Sequence, residues 1–329
     1  MAFAKELWET LRAAVWGAFF PFLLFAQVVV PVYLIDVRLT MFVLAARDDE
    51  GWAMYNMPKD SGTALGAAIA VAVLSKVFLL LWVIPLGYCL WSYYWVARRW
   101  KPVSAPKTPT KQVKAHSQER RYCDRCKIFR GDRTYHCRDN EKCLPYYDHT
   151  CFWWTGGVWL HNVQAYVVFL FFLPVYHLYI FGISLWVLIS PKKYLQANVY
   201  IALGVPSILA LLISGGVAFV YIRHLVFWNI LDNEVDHGVW YLNDDGEAQF
   251  WDPKKEHSST NPWSKGWRAN LRAFFSNELR DTIECYHQEE MPILLRPLEV
   301  TSRRANASST GFESDIELGT LVRRSQSTA

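Results

Sequence analysis

Charged side chains are absent from four long stretches of this 329-residue chain: 13–35, 77–97, 162–190 and 194–222. About 20 apolar residues make one helical crossing of a bilayer's hydrocarbon core, so four membrane spans are expected. Also missing is the basic start, short apolar stretch and small-residue cleavage site of a signal peptide, and the first run therefore reads as a retained anchor. No internal repeat is visible. Nothing resembles a stacking or groove-reading module, which removes nucleic acid from the expected partners.

What is abundant agrees with a membrane protein. Hydrophobic residues make up 52% of the chain, with 16 Trp, 17 Tyr and 19 Phe, above the usual apolar share of a soluble domain. The second run is bounded by Lys76 and by Arg98 and Arg99. Ahead of it, 61–75 would make that helix too long for one membrane, and three readings stand: a lumenal extension, a separate interfacial segment, or a pore helix. Residues 36–62 hold three Lys or Arg against five acids, whereas 98–142 hold fourteen against five. The second of these loops is expected on the cytosolic side, and with four spans both termini join it. The net charge of +4 averages these unlike regions. Most basic loop residues serve to orient the chain, and Arg98, Arg99 and Lys101 could also attract anionic lipid heads or a phosphate-bearing substrate.

Five of the seven cysteines, Cys123, Cys126, Cys137, Cys143 and Cys151, crowd into this loop. In a reducing compartment such clustering points to metal binding or thiol chemistry, not disulfides. Cys89 reads as packing in an apolar helix, and Cys285 has no identifiable partner. Cys123-x2-Cys126, then His136 after nine residues and Cys143 after six more, supply three sulfurs and an imidazole, the ligand set of a closed and therefore structural zinc site. Such an ion would fix a loop too small and too polar to build its own core. Cys151 lies outside that set. In the stretch "DHTC", Asp148 can orient His149, His149 can take a thiol proton, and the Cys151 thiolate can act as nucleophile. Four adjacent residues of these types also arise easily by chance. Position adds weight, because about eleven residues separate Cys151 from the next membrane run, where it could meet a lipid-borne acyl group.

Elsewhere, the Pro-, Lys- and Thr-rich linker 101–118 is expected to be extended and mobile. Residues 239–251 read as a hairpin turning at Asn243, Asp244, Asp245 and Gly246. Residues 266–279 place Trp267, Leu271, Phe274 and Leu279 near one helical face, with Arg268 and Arg272 elsewhere. Either an interfacial helix or one facing a small cytosolic core fits. The Ser-, Thr- and Arg-rich stretch 301–329 reads as a disordered tail, where the glycosylation pattern at Asn306 would never meet its machinery on the cytosolic side.

In spacing, "CDRC", "HCRDNEKC", "DHTC", Trp153, Asn162 and Tyr166 resemble the DHHC-type protein S-acyltransferases, with this chain as a divergent, fungal-like member that has DHTC in place of DHHC. The resemblance covers the four-span layout and residues 123–166. After the last run, "NILDNE" (229–234) is similar to a degenerate form of the family's Asn-x-Thr-Thr-x-Glu, keeping Asn229 and Glu234 but placing Leu231 and Asp232 at the threonines. "NPWSKGWRANLRAFF" (261–275) is similar to the family's C-terminal Asn-Pro-aromatic segment. No Asp-Pro-Gly follows the second span.

The resemblance implies an all-α polytopic membrane protein with four transmembrane helices and a small cytosolic zinc-binding, cysteine-rich domain between the second and third. Its divisions would be 1–100 (two helices and a lumenal loop), 101–162 (linker and cysteine-rich catalytic domain), 163–223 (two helices), 224–300 (cytosolic C-terminal region) and 301–329 (tail). It implies transfer of palmitoyl from long-chain acyl-CoA to membrane-proximal cysteines of substrate proteins through an acyl-Cys151 thioester, with His149 as base and Asp148 orienting it. The chain would be a multi-pass protein of endomembranes or the plasma membrane, in contact with membrane lipid. Of two zinc sites in the family, the first maps to Cys123, Cys126, His136 and Cys143. The second maps to Cys137, Asn140, Thr150 and Gly157, one thiolate where four ligands belong. One structural zinc is therefore expected, with Trp153, Trp154 and Trp159 packing in place of the second. A catalytically silent scaffold or chaperone is the alternative, and a ubiquitin-ligase-like zinc module or a transporter fits less well.

Overall fold

The computed structural model describes Val29 and residues 62–189, 197–256 and 258–276. Apart from Val29, the first expected span 13–35 lies outside the described residues, as do Leu279, Cys285 and the tail 301–329 with Asn306. Everything described belongs to the unit Met1–Cys285. A second unit, Tyr286–Ala329, lies outside the described residues.

Three long helices carry the apolar runs: α1 (Gly62–Trp91), α2 (Val163–Ile189) and α3 (Ala197–Ile222). α1 runs on into a π turn over Ser92–Ala97, and α3 into another over Arg223–Phe227. Within them Ala72–Ala97, Val163–Trp186 and Leu203–Phe227 are long and apolar enough to cross a membrane. α2 packs on both α1 and α3. At the α1–α2 seam, fully buried Trp82 meets the rings of Phe169 and Tyr176, at 6.2 and 5.8 Å between centroids. Side chains that turn away from the bundle are as apolar as those inside, with Ile84, Val205, Leu212 and Phe219 more than half exposed. Lipid suits such a surface and water does not.

Residues 62–75 join α1 without a break. Of the three readings for 61–75, extension of the span is the one observed. The 30 residues of α1 run roughly 45 Å at 1.5 Å per residue, well beyond a hydrocarbon core of about 30 Å.

An all-α description fits these helices but not the segment between α1 and α2, which folds as three antiparallel hairpins. They pair β1 (Tyr122–Cys123) with β2 (Ile128–Phe129), β3 (Thr134–Cys137) with β4 (Lys142–Pro145), and β5 (His149–Cys151) with β6 (Gly156–Val158). Their turns place Lys127, Glu141 and Thr155 in the left-handed region, a conformation unfavourable for these residues unless the ends are held. Ladders of two to four residues bury too little to stand alone, so each hairpin depends on a tie from outside it.

Beyond α3 come α4 (Asp232–His237), the hairpin β7 (Val239–Leu242) with β8 (Ala248–Trp251), and α5 (Trp267–Phe275). The hairpin turns where the sequence predicts, with Gly246 at φ 78° and Asn243 Oδ1 accepting from the N–H groups of Asp245 and Glu247 at 3.1 and 2.7 Å. The linker is not free. Val113 N–H donates to Trp240 O at 3.0 Å, Leu242 N–H to Lys111 O at 2.9 Å, and Gln112 bridges Tyr241. Its composition hides this because the contacts are made by its backbone against an edge strand. α5 buries Asn270 and Phe274 while leaving Trp267 half exposed, so its inward face is rotated from the one the sequence suggests. The reason is polar: Asn270 Nδ2 donates to Phe227 O at 2.8 Å, and its Oδ1 accepts from Lys265 N–H at 3.0 Å.

One ion pair joins the hairpins to the C-terminal region. Arg133 and Glu234, both buried, meet bidentately, Nε to Oε1 at 2.8 Å and a terminal nitrogen to Oε2 at 2.7 Å. The guanidinium also donates to the side-chain and backbone oxygens of Asn229 at 2.6 and 2.8 Å, and it lies over the rings of Tyr146 and Trp263. Asn229 takes the left-handed conformation, φ 55°, which asparagine tolerates better than most residues. Glu234→Gln leaves Arg133 buried without its counter-charge and is expected to destabilise the protein by about 3–5 kcal/mol. This would be read as a lower thermal midpoint by tryptophan fluorescence in detergent. Glu119→Gln at an exposed pair should leave that midpoint unchanged.

Candidate functional site

The two sequence-predicted clusters are both assembled, on adjacent hairpins. Cys123, Cys126, His136 and Cys143 bring their ligand atoms within 4.8 Å of one another, and no other such group occurs among the described residues. Strand register does half of this, since His136 and Cys143 are direct partners across β3 and β4. The β1–β2 turn does the rest, with Lys127 N–H closing on Cys123 O at 2.8 Å. His136 Nδ1 stands 3.6, 3.3 and 4.0 Å from the sulfurs of Cys123, Cys126 and Cys143. A tetrahedral zinc with metal–sulfur bonds of about 2.3 Å separates its ligand atoms by roughly 3.5–3.8 Å, so the four residues fit that ion. Burial, and then the neighbouring thiols, push the Cys143 thiol up. A bound divalent cation reverses that tendency by favouring thiolates, and it would crosslink two hairpins that have no core of their own.

The second cluster is built on β5. Side chains two apart in a strand share a face, so His149 and Cys151 stand side by side while Thr150 points away. Asp148 Oδ2 accepts from His149 Nδ1 at 2.7 Å. This bond fixes the proton on Nδ1 and leaves Nε2 for the Cys151 sulfur. Burial alone would lower the imidazole's affinity for a proton. The hydrogen bonds to Asp148 and Cys151 outweigh it and push the pKa up to about 10. Cys151 is buried, 3.8 Å from Tyr166 Oη of α2, and the His149 ring lies between Tyr166 and Tyr221 of α3, at 5.6 and 5.2 Å. An acid, a base and a nucleophile in this relation can generate a thiolate and shuttle its proton.

Asp148 is itself held by the first turn of α4. Its Oδ1 accepts from Asp232 N–H at 2.6 Å, and its carbonyl accepts from Asn233 Nδ2 at 2.6 Å; the same amide reaches Tyr147 O at 3.0 Å. The contact at position 232 is made by the backbone, which explains how the threonine expected there can be an aspartate. The Asp232 carboxyl is pushed up by burial and by Asp148. Asn162, fully buried at the start of α2, accepts from Trp159 N–H at 2.8 Å and donates to Gly157 O at 3.0 Å. Sequence reasoning missed Arg133, Tyr221 and Asn233: Tyr221 and Asn233 lie far from "DHTC" along the chain, the partner of Arg133 is 101 residues away, and none follows a spacing rule. The three tryptophans face different neighbours: Trp153 stacks on Phe152, Trp159 packs with Trp100 and His161, and Trp154 meets Tyr93 edge-on.

A raised histidine pKa has a signed consequence. The stabilisation from the Asp148–His149 pair is complete below the ordinary imidazole value of 6.5 and is lost as pH rises through about 10. The thermal midpoint of the wild type should therefore fall over that window more steeply than that of His149→Gln, as followed by tryptophan fluorescence.

Residues 116–235 match the family model described as DHHC palmitoyltransferase. Palmitoyltransferase PFA3 of Debaryomyces hansenii is 28% identical over 140 residues, 40% of this chain and 34% of its own length. Palmitoyltransferase PFA3 of Candida albicans is 34% identical over 68 residues, 21% of this chain and 18% of its own length. Palmitoyltransferase ZDHHC2 of Rattus norvegicus is 26% identical over 161 residues, 48% of this chain and 41% of its own length. The chain thus spans less than half the length of these relatives, and the residues matched by the family model include both clusters. Residues 116–235 thus form a domain similar to that of the DHHC-type palmitoyltransferases.

Proposed function

We propose that this protein is a protein S-palmitoyltransferase, and the observation that carries the reading is the Asp148–His149–Cys151 relay at the ends of two membrane-crossing helices. The Cys151 sulfur gives its proton to His149 Nε2 and attacks the carbonyl carbon of a long-chain acyl-CoA thioester. A new carbon–sulfur bond forms at Cys151, the bond to CoA breaks, and the CoA sulfur leaves with the proton from His149. In the second half, the thiol of a membrane-proximal cysteine on a substrate protein loses its proton to His149 and takes the acyl group, and Cys151 is restored as a thiol. Asp148 keeps Nδ1 protonated and balances the imidazolium.

Zinc at Cys123, Cys126, His136 and Cys143 holds the hairpins and takes no part in the transfer. The apolar chain of the acyl group runs among the membrane helices, shielded from water. The chain is a multi-pass membrane protein with both termini on the cytosolic side. Support comes from the family match and from the charge difference between the loops.

Detergent-purified protein incubated with labelled palmitoyl-CoA should acquire a label that hydroxylamine releases. Cys151→Ser should acquire none while keeping its thermal midpoint, whereas Cys123→Ser should lose label, zinc and midpoint together. No label on a well-folded wild type would replace this reading with the scaffold.

A further inference from the structure

β5 has a second face, which Asp148, His149 and Cys151 do not use. Thr150 points to it, with Oγ1 2.6 Å from Tyr147 Oη and donating to Asp139 Oδ2 at 3.0 Å. Fully buried Cys137 lies there too, 3.9 Å from the hydroxyl of Tyr93, a residue of the π turn that ends α1. Across the ladder from Thr150 stands Gly157. A Cβ at Gly157 would come within 2.8 Å of Tyr93 Cε2 and 3.0 Å of Tyr147 Cε2. Trp154 closes the group, edge-on to Tyr93 at 6.0 Å.

The family's second zinc would be held from Cys137, Asn140, Thr150 and Gly157, and these residues do not fit a metal. They offer one sulfur, an amide, a hydroxyl and no side chain at all, whereas a structural zinc wants four nitrogen or sulfur ligands. The space that a ligand side chain at 157 would need is already filled by two tyrosine rings.

We infer that this tyrosine cluster does for β5 what a second metal would do: Tyr93 and Tyr147 occupy the ion's place, and the Tyr147–Thr150–Asp139 hydrogen bonds hold the strand's reverse face. Thr150 is then a positioning residue for His149 and Cys151, and Tyr93 ties their hairpin directly to the end of a membrane helix. The positioning role rests on the S-acyltransferase reading; the replacement of the metal does not.

Two measurements test it. Metal analysis of the purified wild type should find one zinc per chain, and two would overturn the inference. Thr150→Val keeps the shape but removes the hydroxyl, so acyl-Cys151 formation at saturating palmitoyl-CoA should slow on the order of tenfold, as expected of a small misplacement of reacting groups. Half-saturation, zinc content and thermal midpoint should stay unchanged, and Thr150→Ser should restore the rate. Equal rates for Thr150→Val and wild type would overturn the positioning role. A wild type that forms no thioester would instead defeat the S-acyltransferase reading, and the metal count alone would then decide the replacement.

Discussion

A guanidinium withdrawn from water, and the carboxylate that reaches it from 101 residues away, set the arrangement of everything around the two clusters. Neither Arg133 nor Glu234 tolerates that environment alone, since an unpaired buried charge carries a desolvation penalty of several kcal/mol. Together they pin the loop before β3 to the start of α4. Glu234 accepts from Leu231 N–H at 2.9 Å, and that contact shapes the turn whose next two residues, Asp232 and Asn233, grip Asp148. The orientation of His149 therefore descends, bond by bond, from an ion pair that touches neither ring nitrogen.

The hairpins show how a polar segment is made rigid without a hydrophobic core. β1–β2 and β3–β4 share a set of ligand atoms suited to zinc. β5–β6 is held from behind by tyrosines and from above by α4. Glycine at 156 and 157 is what allows such close approach: a Cβ at Gly156 would fall 2.1 Å from the Trp154 ring. Side-chain bulk is given up on β6 so that aromatic rings can press against the backbone.

Legibility in the sequence followed the distance between partners. The runs that became α1, α2 and α3 were visible from missing charge, and the ligand set Cys123, Cys126, His136 and Cys143 from spacing within 21 residues. The β7–β8 turn was visible from Asn243 and Gly246. The strand period made "DHTC" interpretable once β5 was known, but the four letters alone do not announce a strand. Arg133, Asn233 and Tyr93 were hidden because each acts on a residue distant in the chain, and a lone arginine in a basic loop looks like every other arginine there. The linker misled for a related reason: Pro, Lys and Thr describe side chains, while its contacts with Trp240 and Leu242 are made by backbone groups.

The junction between α1 and the hairpins also limits how this protein can adapt to its bilayer. Within six residues the helix is fastened three times, at Cys89 through Asn162, at Tyr93 through Cys137, and at Tyr94 through Thr155 O at 2.8 Å. Removing one residue there would turn the following side chains by about 100° and aim both tyrosines away from their partners. That end of the span therefore has a fixed register relative to the membrane surface. Any mismatch between helix length and lipid thickness must be absorbed at the opposite end, where α1 already overhangs and can tilt or lengthen without disturbing the chemistry.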